Sequence, residues 1–175
     1  MLLRSLALTD EYATCALIKD AFSGFPWYVE YSWIELNDIW KSAVIELGFA
    51  GLVAINDVGI VIGASWWHLP LPDSTRGDAL AKFILNTRAD RVLVWEDSIL
   101  VCQKYQRQGI GEMLRRAFVK SVQRTFGQAI IISRMRSDNT PSLLLAEKLG
   151  FRRTGARSKE KNDPSIFQEY WHLLV

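Results

Sequence analysis

The feature that most restricts how this chain can fold is a strand, a glycine turn, a helix and a second strand in direct succession. The apolar run 99–101 precedes Gln106-Arg107-Gln108-Gly109-Ile110-Gly111, then a stretch with helical apolar spacing, Gly127 and the apolar run 129–133. Glycines at a helix start remove Cβ atoms from the turn, so successive N–H groups and the helix dipole can converge on a phosphate. This pattern predicts a protein with helices and strands and an anion-binding loop.

Two other glycine motifs are alternative interpretations of this loop. A dinucleotide-binding loop, G-x-G-x-x-G, would need a glycine where Leu114 stands, counting from Gly109. A P-loop would need Gly-Lys-Ser/Thr, which the sequence lacks. The anion is therefore expected to belong to another kind of ligand.

A second motif follows the strand at 129–133. A polar turn at 137–140 precedes Pro141, which suits the first turn of a helix, and that helix should end at Gly150-Phe151. Gln106-x-x-Gly109-x-Gly111 resembles the acyl-CoA pyrophosphate loop of the GNAT superfamily of N-acetyltransferases. Asn139-x-x-Ser142-x-x-Leu145-Ala146-x-Lys148-x-Gly150-Phe151 resembles that family's second signature. The close resemblance covers residues 92–152, and the two motifs have the family's usual separation.

The remaining segments agree with this resemblance in their order. Further strands are predicted at 2–8, 51–55, 60–67, 151–157 and 165–174, the last two as a hairpin. Thr9 or Asp10 can cap a first helix, and Ser32-x-x-Glu35 is a capping box for a second. We expect an α/β (α+β) fold with a mixed, largely antiparallel twisted sheet flanked by helices, in one domain spanning residues 1–175.

Composition excludes several classes of function. A chain of 175 residues that is 49% hydrophobic can bury one substantial core. A net charge of +2 does not favour a nucleic-acid partner, and two Cys and two His residues predict neither a metal centre nor a disulfide scaffold. The N-terminus lacks a signal-peptide pattern, and no segment is long enough to span a membrane, so we expect a cytoplasmic protein.

The segment between His68 and Val92 is the least regular part of the sequence. Pro70 and Pro72 interrupt it, and 78–85 has the spacing of a short helix. It is long for a connection between adjacent strands. Three roles stay open for it: extending the sheet, shaping an acceptor site, or forming a subunit contact, and a homodimer is one alternative.

The resemblance implies acetyl-CoA as co-substrate and indicates where it binds. The backbone of 99–101 would hold the pantetheine arm, and the N–H of Val101 or a neighbour would be the oxyanion donor. The main chain from Arg107 to Glu112 would bind the pyrophosphate, and Asn139 would meet the pantetheine. The implied cofactor residues are Ile99, Leu100, Val101, Gln106, Arg107, Gln108, Gly109, Ile110, Gly111, Glu112 and Asn139.

The resemblance implies the catalytic residues less completely than the cofactor residues. Ala146 stands where the family commonly has a Tyr whose hydroxyl protonates the leaving thiolate. Glu96 is the candidate base, because family members often use a carboxylate on this strand. Asp97 is its competitor, since neighbouring strand residues point to opposite faces and a bulge would exchange them. A structural, non-catalytic role for either carboxylate is equally compatible with the sequence.

The acceptor is expected to be an amine. Trp27, Tyr28 and Tyr31 cluster where the resembled fold places one wall of the acceptor site, although core packing explains aromatic residues equally well. The predicted activity is acetyl transfer from acetyl-CoA to a primary amine of a small molecule. A non-catalytic acyl-CoA-binding domain is the leading alternative, and transfer to a protein or tRNA amine is a third.

Overall fold

The computed structural model describes residues 1–24, 26–70, 91–160 and 165–175. Seven strands are present in these ranges: β1 (Leu2–Ser5), β2 (Ala50–Ile55), β3 (Val61–His68), β4 (Val92–Val101), β5 (Ala129–Arg136), β6 (Arg152–Lys159) and β7 (Phe167–Leu174). The same ranges contain α1 (Glu11–Ser23), α2 (Trp33–Val44), α3 (Ile110–Phe126) and α4 (Thr140–Lys148). The strands form one sheet in the order β1-β2-β3-β4-β5-β7-β6.

Strand directions confirm the predicted mixed, largely antiparallel sheet. Strands β4 and β5 pair in parallel, whereas β1 with β2, β2 with β3, β5 with β7 and β6 with β7 pair antiparallel. A parallel neighbour requires a crossover connection, and α3 lies between β4 and β5 in the chain. The chain divides into two compact units, Met1–Leu69 with Asp97–Ser121 and Pro70–Glu96 with Val122–Val175.

In the first unit, α1 and α2 pack with the strands around one hydrophobic cluster. Leu36, Val53 and Ala64 are fully buried there, and Trp40 is 3% exposed. The predicted capping box of α2 is present: Glu35 N–H donates to Ser32 Oγ over 3.3 Å, and Ser32 N–H donates to Glu35 Oε2 over 2.8 Å. The hydrogen bonds that Ser32 N–H and Ser32 Oγ donate to the Glu35 carboxylate lower the pKa of Glu35.

The predicted side-chain cap of α1 is wrong. Asp10 precedes the helix, but its carboxylate makes no capping hydrogen bond. It instead accepts two hydrogen bonds from Arg4, each 2.6 Å long, and one of 2.8 Å from Ala7 N–H. A bidentate guanidinium is a stronger partner than a helix N–H group, which explains why the carboxylate points towards β1.

In the second unit, β5 and β7 enclose a small apolar cluster. Trp95, Ile130, Ile132, Ala156 and Tyr170 are all at most 5% exposed. The predicted C-terminal hairpin is confirmed as β6 and β7, with a register shift between Arg153 and Arg157. The hairpin sits at one edge of the sheet, because β6 is the last strand in the order.

Two sequence predictions concern the connection before β4 and membrane association. The short helix at 78–85 lies outside the described residues, as does most of the irregular segment between His68 and Val92. Among the helices that the structure describes, none combines the length and the apolar character needed to cross a membrane.

Candidate functional site

The segment between β4 and α3 contains two residues with left-handed φ values. A single 3-10 turn, Gln103–Tyr105, follows the strand, and Arg107 and Gly109 then adopt φ values of 62° and 82°. The first helical hydrogen bond of α3 joins Met113 N–H to Gly109 O over 3.0 Å. The amides in the first turn of a helix have no acceptor within that helix, and such a helix start is a common binding site for anions. We call residues 106–111 the cofactor loop.

The backbone at Gly109 requires the conformational freedom of a glycine. Its φ of +82° lies in the left-handed region, which L-residues with a Cβ atom adopt at a cost. A Cβ built on Gly109 would meet no atom within 4 Å, so the space beside it is open. The left-handed conformation of Arg107 was not predicted, because nothing in the residue type favours it.

The two glutamines of the cofactor loop stabilise the loop itself. Gln106 Nε2 donates to Val101 O over 3.2 Å, and Gln108 Nε2 donates to Lys104 O over 3.3 Å. Glu112, in the first turn of α3, pairs with Arg116 over 2.9 Å. Gln106 and Gln108 therefore hold the main chain of the loop in place, and Glu112 pairs along the helix.

Close packing fixes the start of α3 against β3. Ile110 and Leu114 are 3% and 0% exposed and belong to a cluster that also contains Ile62. A Cβ on Gly63 would lie 3.0 Å from Leu114 Cδ1 and 3.2 Å from Ile110 Cγ2, so a glycine permits this approach. The helix end is thus held rigidly, which suits a preformed binding site.

The end of β4 departs from strict alternation. Asp97 Oδ2 accepts a hydrogen bond of 3.0 Å from Trp66 Nε1, and both Trp66 and Leu100 belong to the cluster beneath α1 and α2. Residues three apart in a regular strand point to opposite faces, so the strand must be irregular between Asp97 and Leu100. Ile99 and Val101 pack instead against the cluster of Ile110. All three predicted pantetheine-strand residues therefore also serve the core.

The two candidate bases differ in their surroundings. Glu96 is only 4% exposed and lies opposite Ser133 in the register of β4 and β5. Asp97 is exposed, and the Trp66 indole orients its carboxylate. A base needs contact with its substrate and a defined orientation; the exposure and the hydrogen bond of Asp97 meet both needs, whereas Glu96 is buried.

Asn139 and Ala146, in the second unit, have clear structural roles. Asn139 is the N-cap of α4, and its Oδ1 accepts from Ser142 N–H over 3.3 Å. Ala146 is fully buried within the same helix. Its side chain is a methyl group, so Ala146 lacks the hydroxyl that a Tyr would supply at this position of the signature.

The three predicted acceptor residues are in different surroundings. Trp27 packs on Phe22 with ring centroids 4.9 Å apart, and Tyr28 is 71% exposed with φ 49°. Tyr31 lines an open cavity of about 740 Å³, formed within the first unit by one face of α1 and the segment 30–33. We call this the α1 cavity, and its charged lining residues are Lys19, Asp20 and Glu30. This cavity was not predicted from the sequence.

Comparison with known proteins identifies the family. Residues 1–152 match the family model described as an acetyltransferase (GNAT) domain, and the chain therefore belongs to the GNAT acetyltransferase family. No curated protein matches the sequence. Within the described residues, no group of three or more His, Cys, Asp or Glu side chains could hold a metal ion.

Solved structures of several acetyltransferases are similar to this one. The ribosomal-protein-S18-alanine N-acetyltransferase from Escherichia coli is 16% identical, with a TM-score of 0.72 over 99% of this chain and 93% of that one. The phosphinothricin acetyltransferase from Sinorhizobium meliloti, in complex with AcCoA, is 18% identical, with a TM-score of 0.70 over 99% and 88%. NAA60 from Arabidopsis thaliana, in complex with a bisubstrate analogue, is 14% identical, with a TM-score of 0.74 over 99% and 97%. At these identities the likeness concerns the fold.

Proposed function

We propose that this protein transfers an acetyl group from acetyl-CoA to a primary amine, most simply that of a small molecule. The observation that carries the proposal is the backbone of the cofactor loop, where Arg107 and Gly109 take left-handed φ values directly before α3. The loop offers main-chain donors and a helix N-terminus to the pyrophosphate of CoA. Membership of the GNAT family and the AcCoA complex of the similar phosphinothricin acetyltransferase support this ligand.

The proposed reaction is a direct attack in a ternary complex. The neutral amine nitrogen bonds to the thioester carbonyl carbon, and the carbon–sulfur bond then breaks. The N–H of Val101 or a neighbour stabilises the negative charge that develops on the carbonyl oxygen. The amine gives its proton to a carboxylate, for which Glu96 is our first candidate and Asp97 the second.

Departure of CoA needs no dedicated acid in this proposal. The buried Ala146 cannot protonate the sulfur, but an ordinary thiol has a pKa of about 8.5, so a thiolate is a tolerable leaving group near neutral pH. Another hydroxyl or a water molecule is an alternative proton source. The same Ala146 is the specific observation that favours a second candidate function, an acyl-CoA-binding domain without catalysis.

The α1 cavity is our candidate for the acceptor site. Tyr31 and Trp33 contribute aromatic surface to it, and Asp20 and Glu30 contribute carboxylates that attract an ammonium group. Lys19 lies over the Trp33 ring, 5.6 Å from its centroid, and adds a positive charge for an anionic part of the acceptor. Similar structures include enzymes named for a ribosomal-protein alanine and for phosphinothricin, so transfer to a protein amine is an alternative.

Release of free thiol from acetyl-CoA tests the proposal. The wild-type protein is incubated with acetyl-CoA and a panel of amines that includes amino acids, aromatic amines, polyamines and N-terminal peptides. Thiol release that depends on one acceptor, with acetylated product found by mass spectrometry, is the expected result. Tight binding of acetyl-CoA without acceptor-dependent release across the panel would favour the non-catalytic alternative. Failure to bind acetyl-CoA would contradict both.

A further inference from the structure

Asp20, on α1, holds the first turn after β4 through both its side chain and its main chain. Gln103 N–H donates to Asp20 Oδ2 over 2.6 Å, and Gln103 Nε2 donates to the Asp20 carbonyl oxygen over 2.6 Å. Ser23 Oγ accepts from Gln103 Nε2 at 3.1 Å and donates to Asp20 O at 2.9 Å. Gln103 is therefore held by three hydrogen bonds, one of which ends on a charged carboxylate.

Close packing reinforces this attachment. A Cβ built on Gly24, at the end of α1, would lie only 2.9 Å from Gln103 Nε2. Burial is the main reason why the pKa of the neighbouring Cys102 thiol is raised, and a hydrogen bond to Asp20 raises it as well. Asp20 thus interacts with Cys102 and Gln103, the two residues that follow Val101.

The position of Gln103 in the chain gives these contacts a functional meaning. Its turn, Gln103–Tyr105, is the segment of chain that leads from β4 to the cofactor loop, and Gln106 N–H donates back to Gln103 O over 3.2 Å. A shift of Gln103 would therefore move the N–H groups that the loop presents to an anion. Preformed donors bind more tightly than donors that must be ordered during binding.

We propose that Asp20 is a positioning residue that fixes Gln103, and through it the cofactor loop, in the conformation that binds acetyl-CoA. This inference rests on the proposed function. Asp20 itself lines the α1 cavity rather than the cofactor loop, so its effect on acetyl-CoA is indirect. Loss of the attachment weakens acetyl-CoA binding, whereas loss of the negative charge alone does not.

The test compares acetyl-CoA dissociation constants, measured by calorimetry in the absence of acceptor, for variants on both sides of the contact. Asp20→Ala removes the side-chain acceptor and should weaken binding about three- to tenfold. Asp20→Asn keeps an oxygen that can accept from Gln103 N–H and should restore binding to within about twofold of the wild type. Gln103→Ala removes the side-chain donor and should weaken binding less than Asp20→Ala does. Asp38→Ala, which removes an exposed carboxylate of α2, is the matched control.

The outcomes separate this inference from the proposed function. If the wild type does not bind acetyl-CoA, both fail. If the wild type binds and folded Asp20→Ala has the same dissociation constant, the inference alone fails. If Asp20→Ala does not fold, an unchanged constant for Gln103→Ala overturns the inference. If Asp20→Asn binds as weakly as Asp20→Ala, the attachment is also not the cause, because charge would then explain both losses.

Discussion

The cofactor loop in the first unit and the segment 139–150 in the second unit carry the two family signatures, but they depend on different chemistry. In our proposal the loop binds the pyrophosphate through main-chain N–H groups, and the left-handed φ values of Arg107 and Gly109 shape that main chain. The segment 139–150 would act through side chains, and there the sequence departs from the signature at Ala146. A function carried by the main chain tolerates residue changes that a function carried by side chains does not.

The largest expected effect on acetyl-CoA binding comes from placing a bulky residue in the cofactor loop. Gly109→Trp should weaken acetyl-CoA binding by more than about 100-fold, roughly 2.7 kcal/mol, because the indole fills the space that the ligand approaches. Gly127→Trp is a matched control: Gly127 follows the other end of α3, has φ +69° and also has no atom within 4 Å of a built Cβ.

Both tryptophan variants introduce a similar backbone strain, so both should lose a similar amount of stability in thermal unfolding. Calorimetry with acetyl-CoA then separates the local effect from the general one. If Gly109→Trp binds acetyl-CoA like Gly127→Trp, the cofactor loop is not the pyrophosphate site, and the main-chain half of the comparison is wrong.

The next largest effect concerns the side chains of β4. Glu96→Gln should lower kcat about 100-fold if Glu96 is the base, while Asp97→Asn should lower it by less than about fivefold. Both substitutions keep the size of the side chain, and the amide oxygen of the Asp97→Asn variant can still accept from Trp66 Nε1. The measurement is kcat of both variants across a range of pH, with acetyl-CoA affinity as the control. The reverse ranking would assign the base to Asp97, and two unimpaired variants would refute a carboxylate base on this strand.

The ambiguity between Glu96 and Asp97 shows where sequence reasoning reaches its limit. The sheet, the capping box of α2, the hairpin and the start of α3 follow from periodicity and local hydrogen bonding, and they were predicted correctly. The irregularity after Asp97 depends on how Asp97 and Leu100 pack against Trp66 and other residues that are distant in sequence. The contacts of Asp20 with Gln103 join residues far apart in sequence, which no local pattern encodes.

The first unit also contains a side-chain interaction that serves stability. The Arg4 hydrogen bonds lower the pKa of Asp10. A lowered carboxylate pKa stabilises the folded state above the unfolded pKa of about 3.9, and this stabilisation is lost as the pH falls through the folded pKa. Asp10→Asn should therefore lower the free energy of unfolding by about 1–2 kcal/mol at neutral pH. This range allows for screening of the partly exposed Arg4 by solvent.

Urea unfolding of the wild type and Asp10→Asn from neutral pH to about pH 3 checks this prediction. The difference in unfolding free energy should shrink below about pH 4, because the Asp10 carboxylate of the unfolded chain then takes up a proton, and it should vanish once the folded carboxylate is protonated at lower pH. A difference that stays constant over the whole range would mean that the charge of Asp10 is not what stabilises the fold. Acetyl-CoA affinity at neutral pH should be unchanged, since the ion pair lies outside the cofactor loop.

The smallest expected effect gives the sharpest test of the side-chain half of the comparison. Asn139→Ala removes the cap of α4 and should cost about 1 kcal/mol of stability. Asn139→Asp keeps an oxygen that can accept from Ser142 N–H, but it loses the amide donor, so its stability should stay near that of the wild type. If Asn139 also donates to the pantetheine, Asn139→Asp should bind acetyl-CoA about three- to tenfold more weakly.

If Asn139→Asp matches the wild type in both stability and acetyl-CoA affinity, Asn139 is only a helix cap. The second signature would then contribute to the fold rather than to the ligand, and cofactor recognition would depend still more on the main chain of the first unit.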